Sequence, residues 1–287
     1  MKIQTFSIVV GTSACNAKCP FCVSKMTHAV ETLNHSDAHW RNFDIAVNLA
    51  KTAGATTAML TGKGEPTLYP DLITKYIDNL KHAFPLVEIQ TNGLLLQHPK
   101  YLEHLQTWYH QGVTTIAISV THWDDEINRQ VYCPNIKYPK LEETIKLLHD
   151  IGFSVRLNCI MTKGRVDNKE SVCSFIDFAR ANKVEQVTLM PVNRPSKSNN
   201  EDVYNWVFDN HVEKNISTIL AMLETDGSLL MELAHGAMVF DYRGQNVCLS
   251  NCLKVEPIRD KTIIRNLIFF PDGHLRYDWE HEGAIIL

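Results

Sequence analysis

The sequence predicts an α/β protein, a partial (β/α)6 barrel followed by a small α+β C-terminal extension. Two observations carry this. Apolar, β-branched runs alternate with amphipathic helical stretches six times before about residue 195. A polar, turn-rich segment, Asn193–Asp202, then breaks the pattern, and shorter strand candidates follow it. Six βα units in series imply a parallel sheet with helices outside, and six strands are too few to close an eight-stranded barrel. The expected division is residues 1–195 as a core barrel and 196–287 as an extension that covers it.

The strands of the core are expected at Phe6–Val10, Thr57–Leu60, Val87–Thr91, Thr115–Val120, Ser154–Met161 and Gln186–Met190. Between them, Leu72, Ile73, Tyr76, Ile77 and Leu80 repeat at helical spacing after a Pro70-Asp71 start. Leu141, Ile145 and Leu148 do the same and stop at Gly152, a C-cap residue. Asp124-Asp125-Glu126 suits a helix N-terminus. In the extension, a helix is expected over Val203–Leu223 with a break near Asn210. Strands follow at Leu229–Leu233, Met238–Tyr242 and Ile264–Phe270, and Pro271-Asp272-Gly273 turns into His274–Tyr277.

Bulk properties narrow the function. With 287 residues and a formal net charge of −4, the chain has no general attraction to phosphate backbones or acidic membranes, so nucleic-acid and membrane partners are not expected. No apolar run approaches the roughly 18 residues of a membrane span. The short apolar start, MKIQTFSIVV, reads as a strand and not as a signal peptide, which makes the cytoplasm the expected compartment.

Eight cysteines are many for such a chain, and three of them crowd into Cys15-Asn16-Ala17-Lys18-Cys19-Pro20-Phe21-Cys22, just beyond the first strand. A C-x3-C-x2-C loop can wrap one face of an iron–sulfur cubane and leave the fourth iron without a protein ligand. Two other readings stay open on spacing alone. A zinc site would take a fourth ligand, for which His28 and His35 are candidates; a ferredoxin-type cluster would want a fourth cysteine, and none lies close by.

This loop resembles that of the radical S-adenosylmethionine (SAM) superfamily, and the resemblance extends over about residues 5–195. Thr61-Gly62-Lys63-Gly64-Glu65-Pro66 is similar to the family's GGE motif in a G-x-G-E-P variant, with Lys63 where many relatives have glycine. Gln90-Thr91-Asn92-Gly93, Ile118-Ser119-Val120, Val155-Arg156-Leu157-Asn158 and Leu189-Met190-Pro191 resemble the ends of the third to sixth strands. The resemblance implies a [4Fe-4S] cluster on Cys15, Cys19 and Cys22, and SAM as the cofactor cleaved there. It places the methionyl amine at Gly62 and Gly64, with Glu65 setting the loop. It makes Ser119 and Arg156 candidates for the SAM carboxylate, and Asn92 and Asn158 for ribose or carboxylate. Phe21, Met190 and Pro191 would flank adenine. An electron donor such as flavodoxin or ferredoxin would reduce the cluster.

Cys248 and Cys252, followed by Asp272-Gly273-His274-Leu275-Arg276, resemble part of the region that holds an auxiliary cluster in some relatives. The third cysteine of that pattern is missing, so a degenerate hairpin over the barrel mouth is the preferred reading. Asp278 is a candidate further ligand if a cluster forms. Candidate substrate or catalytic groups are Cys248, Arg243, Arg276 and Tyr277, with His122-Trp123 after the fourth strand and Arg194 after the sixth. The expected substrate is a small molecule in a biosynthetic pathway. The alternative is a peptide or protein, as for a peptide-modifying maturase or a glycyl-radical activase. A non-catalytic iron–sulfur or zinc module would leave the G-x-G-E-P turn unexplained.

Overall fold

The computed structural model describes residues 2–33, 36–80, 82–132, 137–195, 198–233, 235–250 and 262–287, with residues 213 and 214 described by backbone alone. The core runs β1 (Lys2–Val9), α1 (Val23–Met26), α2 (Asp37–Thr52), β2 (Thr57–Thr61), α3 (Pro70–Leu80), β3 (Leu86–Thr91), α4 (Leu102–His110) and β4 (Thr115–Val120). It continues through α5 (Asp125–Tyr132), α6 (Leu141–Ile151), β5 (Ser154–Met161), α7 (Lys169–Ala181) and β6 (Gln186–Pro191). The C-terminal part adds α8 (Glu201–Asn210), α9 (Glu213–Asp226), β7 (Ser228–Glu232), β8 (Met238–Tyr242), β9 (Gln245–Leu249), β10 (Ile263–Phe269) and β11 (Leu275–Arg276).

The six expected core strands form, and their alternation explains the layers. One face of each strand presents Phe6 and Ile8, Ala58 and Leu60, Val87 and Ile89, Ile116 and Ile118, Val155 and Leu157, or Val187 and Leu189 to the helices, all within one buried cluster. Helix faces supply the other half: Phe43 and Ala46 of α2, Ile73 and Tyr76 of α3, Ile145 and Leu148 of α6, Phe175 and Ile176 of α7. Burying each such aliphatic or aromatic side chain stabilises the fold by about 1.5–3 kcal/mol. Helix ends are set by local chemistry. Asp124 Oδ1 accepts from the Glu126 and Ile127 amides at the start of α5, and Gly152, at φ 117°, closes α6.

The C-terminal residues, expected as a covering extension, also contribute strands to the same sheet. β10 pairs in parallel with β1, and β9 pairs in parallel with β6. The sheet order is β11-β10-β1-β2-β3-β4-β5-β6-β9-β8-β7, so the tail adds a parallel strand to each side of the six. β8 and β7 then continue antiparallel beyond β9, and β11 beyond β10. The sheet does not close. The helix expected over Val203–Leu223 with a break near Asn210 is two helices, separated by His211 and Val212. Among the described residues, no helix is long and apolar enough to cross a membrane.

Candidate cofactor and substrate site

The cysteine loop leaves the C-terminal end of β1 and is fixed by backbone contacts from several elements. The Ser13 amide donates to Val30 O at 2.8 Å, and the Val30 amide returns a bond to Ser13 Oγ at 2.8 Å. The Lys18 amide donates to Tyr132 O at 2.8 Å, which ties the loop to the end of α5. The Glu65 amide donates to Ala14 O at 3.0 Å, which ties it to the turn after β2. That turn must come close: a Cβ on Gly64 would stand 1.9 Å from Ala14 O and 2.7 Å from Thr12 O. Gly64 is therefore required by the approach of two backbones.

Glu65 is buried, and its carboxylate accepts four bonds from its surroundings. Oε1 takes the Thr67 amide (3.0 Å), the Thr67 hydroxyl (2.7 Å) and the Thr91 hydroxyl (2.6 Å); Oε2 takes the Asn92 amide (2.9 Å). Burial pushes its carboxyl above the usual range, and these donors act against that. The residue thus joins the β2 turn to the end of β3. Asn92 passes the connection on, since its side-chain amide donates to Asn16 Oδ1 at 2.7 Å and lies 3.9 Å from Cys15 Sγ.

Burial raises the thiols of Cys15 and Cys19 above their ordinary values; Glu65 and Cys22 raise Cys15 further, and Cys22 and Cys15 raise Cys19. The three side chains are thus near enough for their charges to interact. Among the described residues, however, no three His, Cys, Asp or Glu side chains are gathered as a ready-made metal site. The donor set itself fits an iron–sulfur cluster: three soft sulfurs on one loop, with the Ala17 amide already donating to Cys15 Sγ at 3.4 Å. His28 pairs with Glu282 at 3.1 Å, and His35 lies outside the described residues.

Strand register places the remaining candidates in layers on the face away from the helices. Ser119, Asn158, Thr188 and Cys248 are successive partners across β4, β5, β6 and β9, so they share one layer. Gln90, Ala117, Arg156, Gln186 and Asn246 form the layer beneath, two residues or about 6–7 Å further from the cysteine loop. Arg156 was expected at a strand end. Within β5, which has the expected bounds Ser154–Met161, Arg156 lies near the start, in this lower layer, with its Nη1 2.6 Å from Glu88 Oε2. Gln90 donates to the other Glu88 oxygen at 2.8 Å. A buried carboxylate in β3 thus has a partner on β5, a pairing that sequence order does not reveal.

Phe21 packs edge-on to Tyr132 at 6.4 Å and near Trp206 of α8 at 6.0 Å. Met190 lies on β6 in register with Ile160. His122 and Trp123 stack at 3.8 Å, and His122 Nδ1 accepts the Asp124 amide at 2.9 Å, which leaves Nε2 as the protonated nitrogen of the neutral ring. Burial lowers the His122 pKa, and the Arg165 guanidinium lowers it further against the pull of Asp124. Arg165, on the loop after β5, was not singled out from the sequence; its position beside His122 could not be read from spacing.

One expectation for the tail changes. Arg243 precedes β9, at the end of the parallel strands opposite the cysteine loop, and pairs with Asp226 at 3.2 Å. It is not placed to meet a substrate at the mouth. Arg194 lies over the rings of Tyr204 and Phe208, at 4.3 and 4.6 Å. Arg276 makes a two-pronged bond to Asp272, at 3.1 and 2.6 Å, and Tyr277 is exposed. Asp278 Oδ1 accepts the Glu280 and His281 amides. Cys252, half of the expected cysteine pair, lies outside the described residues.

The profile of the radical SAM superfamily matches residues 9–179, which span the cysteine loop, the glycine turn and the β4–β5 layers. The chain belongs to the radical SAM superfamily. Members of this superfamily bind a [4Fe-4S] cluster and SAM, so this radical SAM chain is an enzyme of SAM-dependent chemistry. It is 27% identical over 179 residues to GTP 3',8-cyclase of Staphylococcus epidermidis, covering 61% of this chain and 50% of the relative. It is 30% identical over 163 residues to the enzyme of that name from Staphylococcus saprophyticus, covering 55% and 46%. The radical SAM chain therefore spans about half the length of these curated relatives. Its fold resembles Streptococcus suis SuiB bound to S-adenosylmethionine, with a TM-score of 0.59, 14% identity, and 96% of this chain and 60% of that one covered. It also resembles anSMEcpe with bound AdoMet and a peptide, with a TM-score of 0.54, 15% identity, and 78% and 61% covered.

Proposed function

We propose that this radical SAM enzyme holds its cluster on Cys15, Cys19 and Cys22 and uses SAM to abstract hydrogen from a small-molecule substrate. A [4Fe-4S] cluster held by Cys15, Cys19 and Cys22 would supply the electron for reductive cleavage of SAM. The observation that carries the reading is the polar layer of Ser119, Asn158, Thr188 and Cys248, directly beneath the cysteine-loop end of the sheet. Gly62, Gly64 and Asn92 border the loop and suit the SAM amino acid and ribose. Ser119 and Asn158 supply donors at the next level, and Phe21 and Met190 suit the adenine edge. Arg156 sits deeper and orients this wall through Glu88. Residues 1–195 carry the SAM chemistry on this reading, and residues 196–287 supply strands and cover that select the substrate. Purine nucleotides enter the candidate substrates because the curated relatives are named for GTP.

A peptide substrate is the second reading. It is favoured by the exposed edge strand β7, where Leu229, Leu230 and Met231 all face solvent, and by the complex of SuiB with a precursor peptide in the same fold.

Anaerobically loaded enzyme, incubated with SAM, reductant and pools of nucleotides, amino-acid derivatives and peptides, distinguishes the two by mass spectrometry. We expect a product from a small-molecule pool. Arg276→Ala should lower that product more than it lowers substrate-free 5′-deoxyadenosine formation, whereas Arg243→Ala, at the opposite end of the sheet, should change neither. Product from the peptide pool alone would favour the second reading.

A further inference from the structure

Lys63 stands between the two glycines of the turn after β2, and its side chain is nearly withdrawn from solvent, at 6% exposure. A buried ammonium must find partners. Nζ donates to Thr27 Oγ1 at 2.8 Å and to the Trp279 carbonyl at 3.4 Å, and it lies 5.5 Å from the centroid of the Trp279 ring. Thr27 directly follows α1, the short helix that begins just after Cys22. Trp279 belongs to the C-terminal segment and packs against Phe270 at 5.6 Å, beside Val9, Ile268 and Val30. One ammonium therefore joins the flank of the cysteine loop, the glycine turn and the tail.

The charges around it are of both signs. Burial, helped by Arg276, lowers the Lys63 pKa to about 8, and Cys22, Asp278 and Glu280 oppose that. Covering Trp279 alone would need only the methylene stem, which a methionine also supplies. Carrying a charge into this place has a desolvation cost, and that cost is offset only where negative groups or aligned acceptors meet it.

We propose that Lys63 is a positioning residue: its ammonium fastens the 278–280 segment to the flank of the cysteine loop and holds a positive charge on the Cys22 side of the cluster site. Two consequences follow from that single contact. The tail is held over the β1 and β10 end of the sheet, where Val9 and Ile268 lie beneath it. The bound cluster becomes more negative on reduction, so a fixed cation nearby favours its reduced form. This inference goes beyond the substrate reading above, and neither readout below involves a substrate.

The test compares the anaerobically loaded wild-type enzyme with Lys63→Met, which keeps the stem and removes the charge, and with Thr27→Val, which removes one acceptor. Hydrogen exchange should quicken roughly tenfold or more in the 277–287 segment of Lys63→Met, with β1–β6 amides unchanged. In the same sample, the cluster midpoint potential, followed by EPR during a redox titration, should move lower. Thr27→Val should show both shifts at smaller size, and it carries the test if Lys63→Met does not take up a cluster. Unchanged tail protection in the variants overturns the proposal. So does a loosened tail with an unchanged potential, because Lys63 would then be a structural peg alone.

Discussion

Gly64→Ala should leave a folded barrel that no longer takes up its cluster. The added methyl would stand 1.9 Å from the Ala14 carbonyl oxygen and 2.7 Å from the Thr12 oxygen, and both obstacles are backbone. No rotamer change relieves such a contact, so the cysteine loop or the turn must move. The Glu65 amide bond to Ala14 O is made at the same place and would be lost with it. The displaced segment lies directly before Cys15, so the register of the three thiols shifts. The atoms nearest the added methyl belong to the loop at Thr12 and Ala14, not to a helix or strand, so circular dichroism should be little changed. Iron analysis after anaerobic reconstitution should show most of the bound iron gone. Normal iron content in Gly64→Ala would mean that the loop is not held by this close approach.

Glu65→Ala should be among the most destabilising single changes in the core. Its carboxylate satisfies two backbone amides and two hydroxyls at one buried point. The hydroxyls of Thr67 and Thr91 can rotate to other partners, but the Thr67 and Asn92 amides cannot. Each buried donor left unpaired costs about 1–3 kcal/mol, so a total loss of about 2–6 kcal/mol is expected by denaturant unfolding of the metal-free protein. Glu65→Gln separates the contacts. A glutamine can keep its carbonyl where Oε1 stands and so retain three of the four bonds, while its NH2 meets the Asn92 amide donor to donor. The expected loss is then about 1–3 kcal/mol. A change below about 0.5 kcal/mol in Glu65→Ala would show that these bonds do not hold β3 to the turn.

The parts of this fold that were legible in the sequence are those with local causes. Core strands such as Ser154–Met161 alternate, with Val155 and Leu157 toward the helices and Arg156 and Asn158 on the other face, and the period alone locates them. Gly152 and the Pro271-Asp272-Gly273 turn announce themselves because few residues adopt such backbone angles cheaply. What escaped the sequence depends on distant partners. Gln245–Leu249 is a five-residue strand that contains Cys248, and its pattern is too short to mark a strand until β6 is known to lie against it. Arg156 looked like a ligand for an incoming anion because its partner, Glu88, lies 68 positions earlier on a different strand. Arg243 looked available for a substrate until the direction of β9 placed it at the other end of the sheet. In each case the residue type was read correctly, and it was the three-dimensional neighbour that decided its place.

In the proposed function the Cys15, Cys19 and Cys22 loop carries the cluster at which SAM is cleaved. It is tested most directly by anaerobic reconstitution of wild-type enzyme and of the Cys15→Ala/Cys19→Ala/Cys22→Ala variant, with iron, sulfide, the reduced-state EPR signal and 5′-deoxyadenosine measured on the same samples. Wild-type enzyme should hold about four irons and four sulfides, give the EPR signal of a reduced [4Fe-4S] cluster, and form 5′-deoxyadenosine from SAM. The triple variant should show neither the signal nor the product. Formation of 5′-deoxyadenosine by the triple variant would contradict the account.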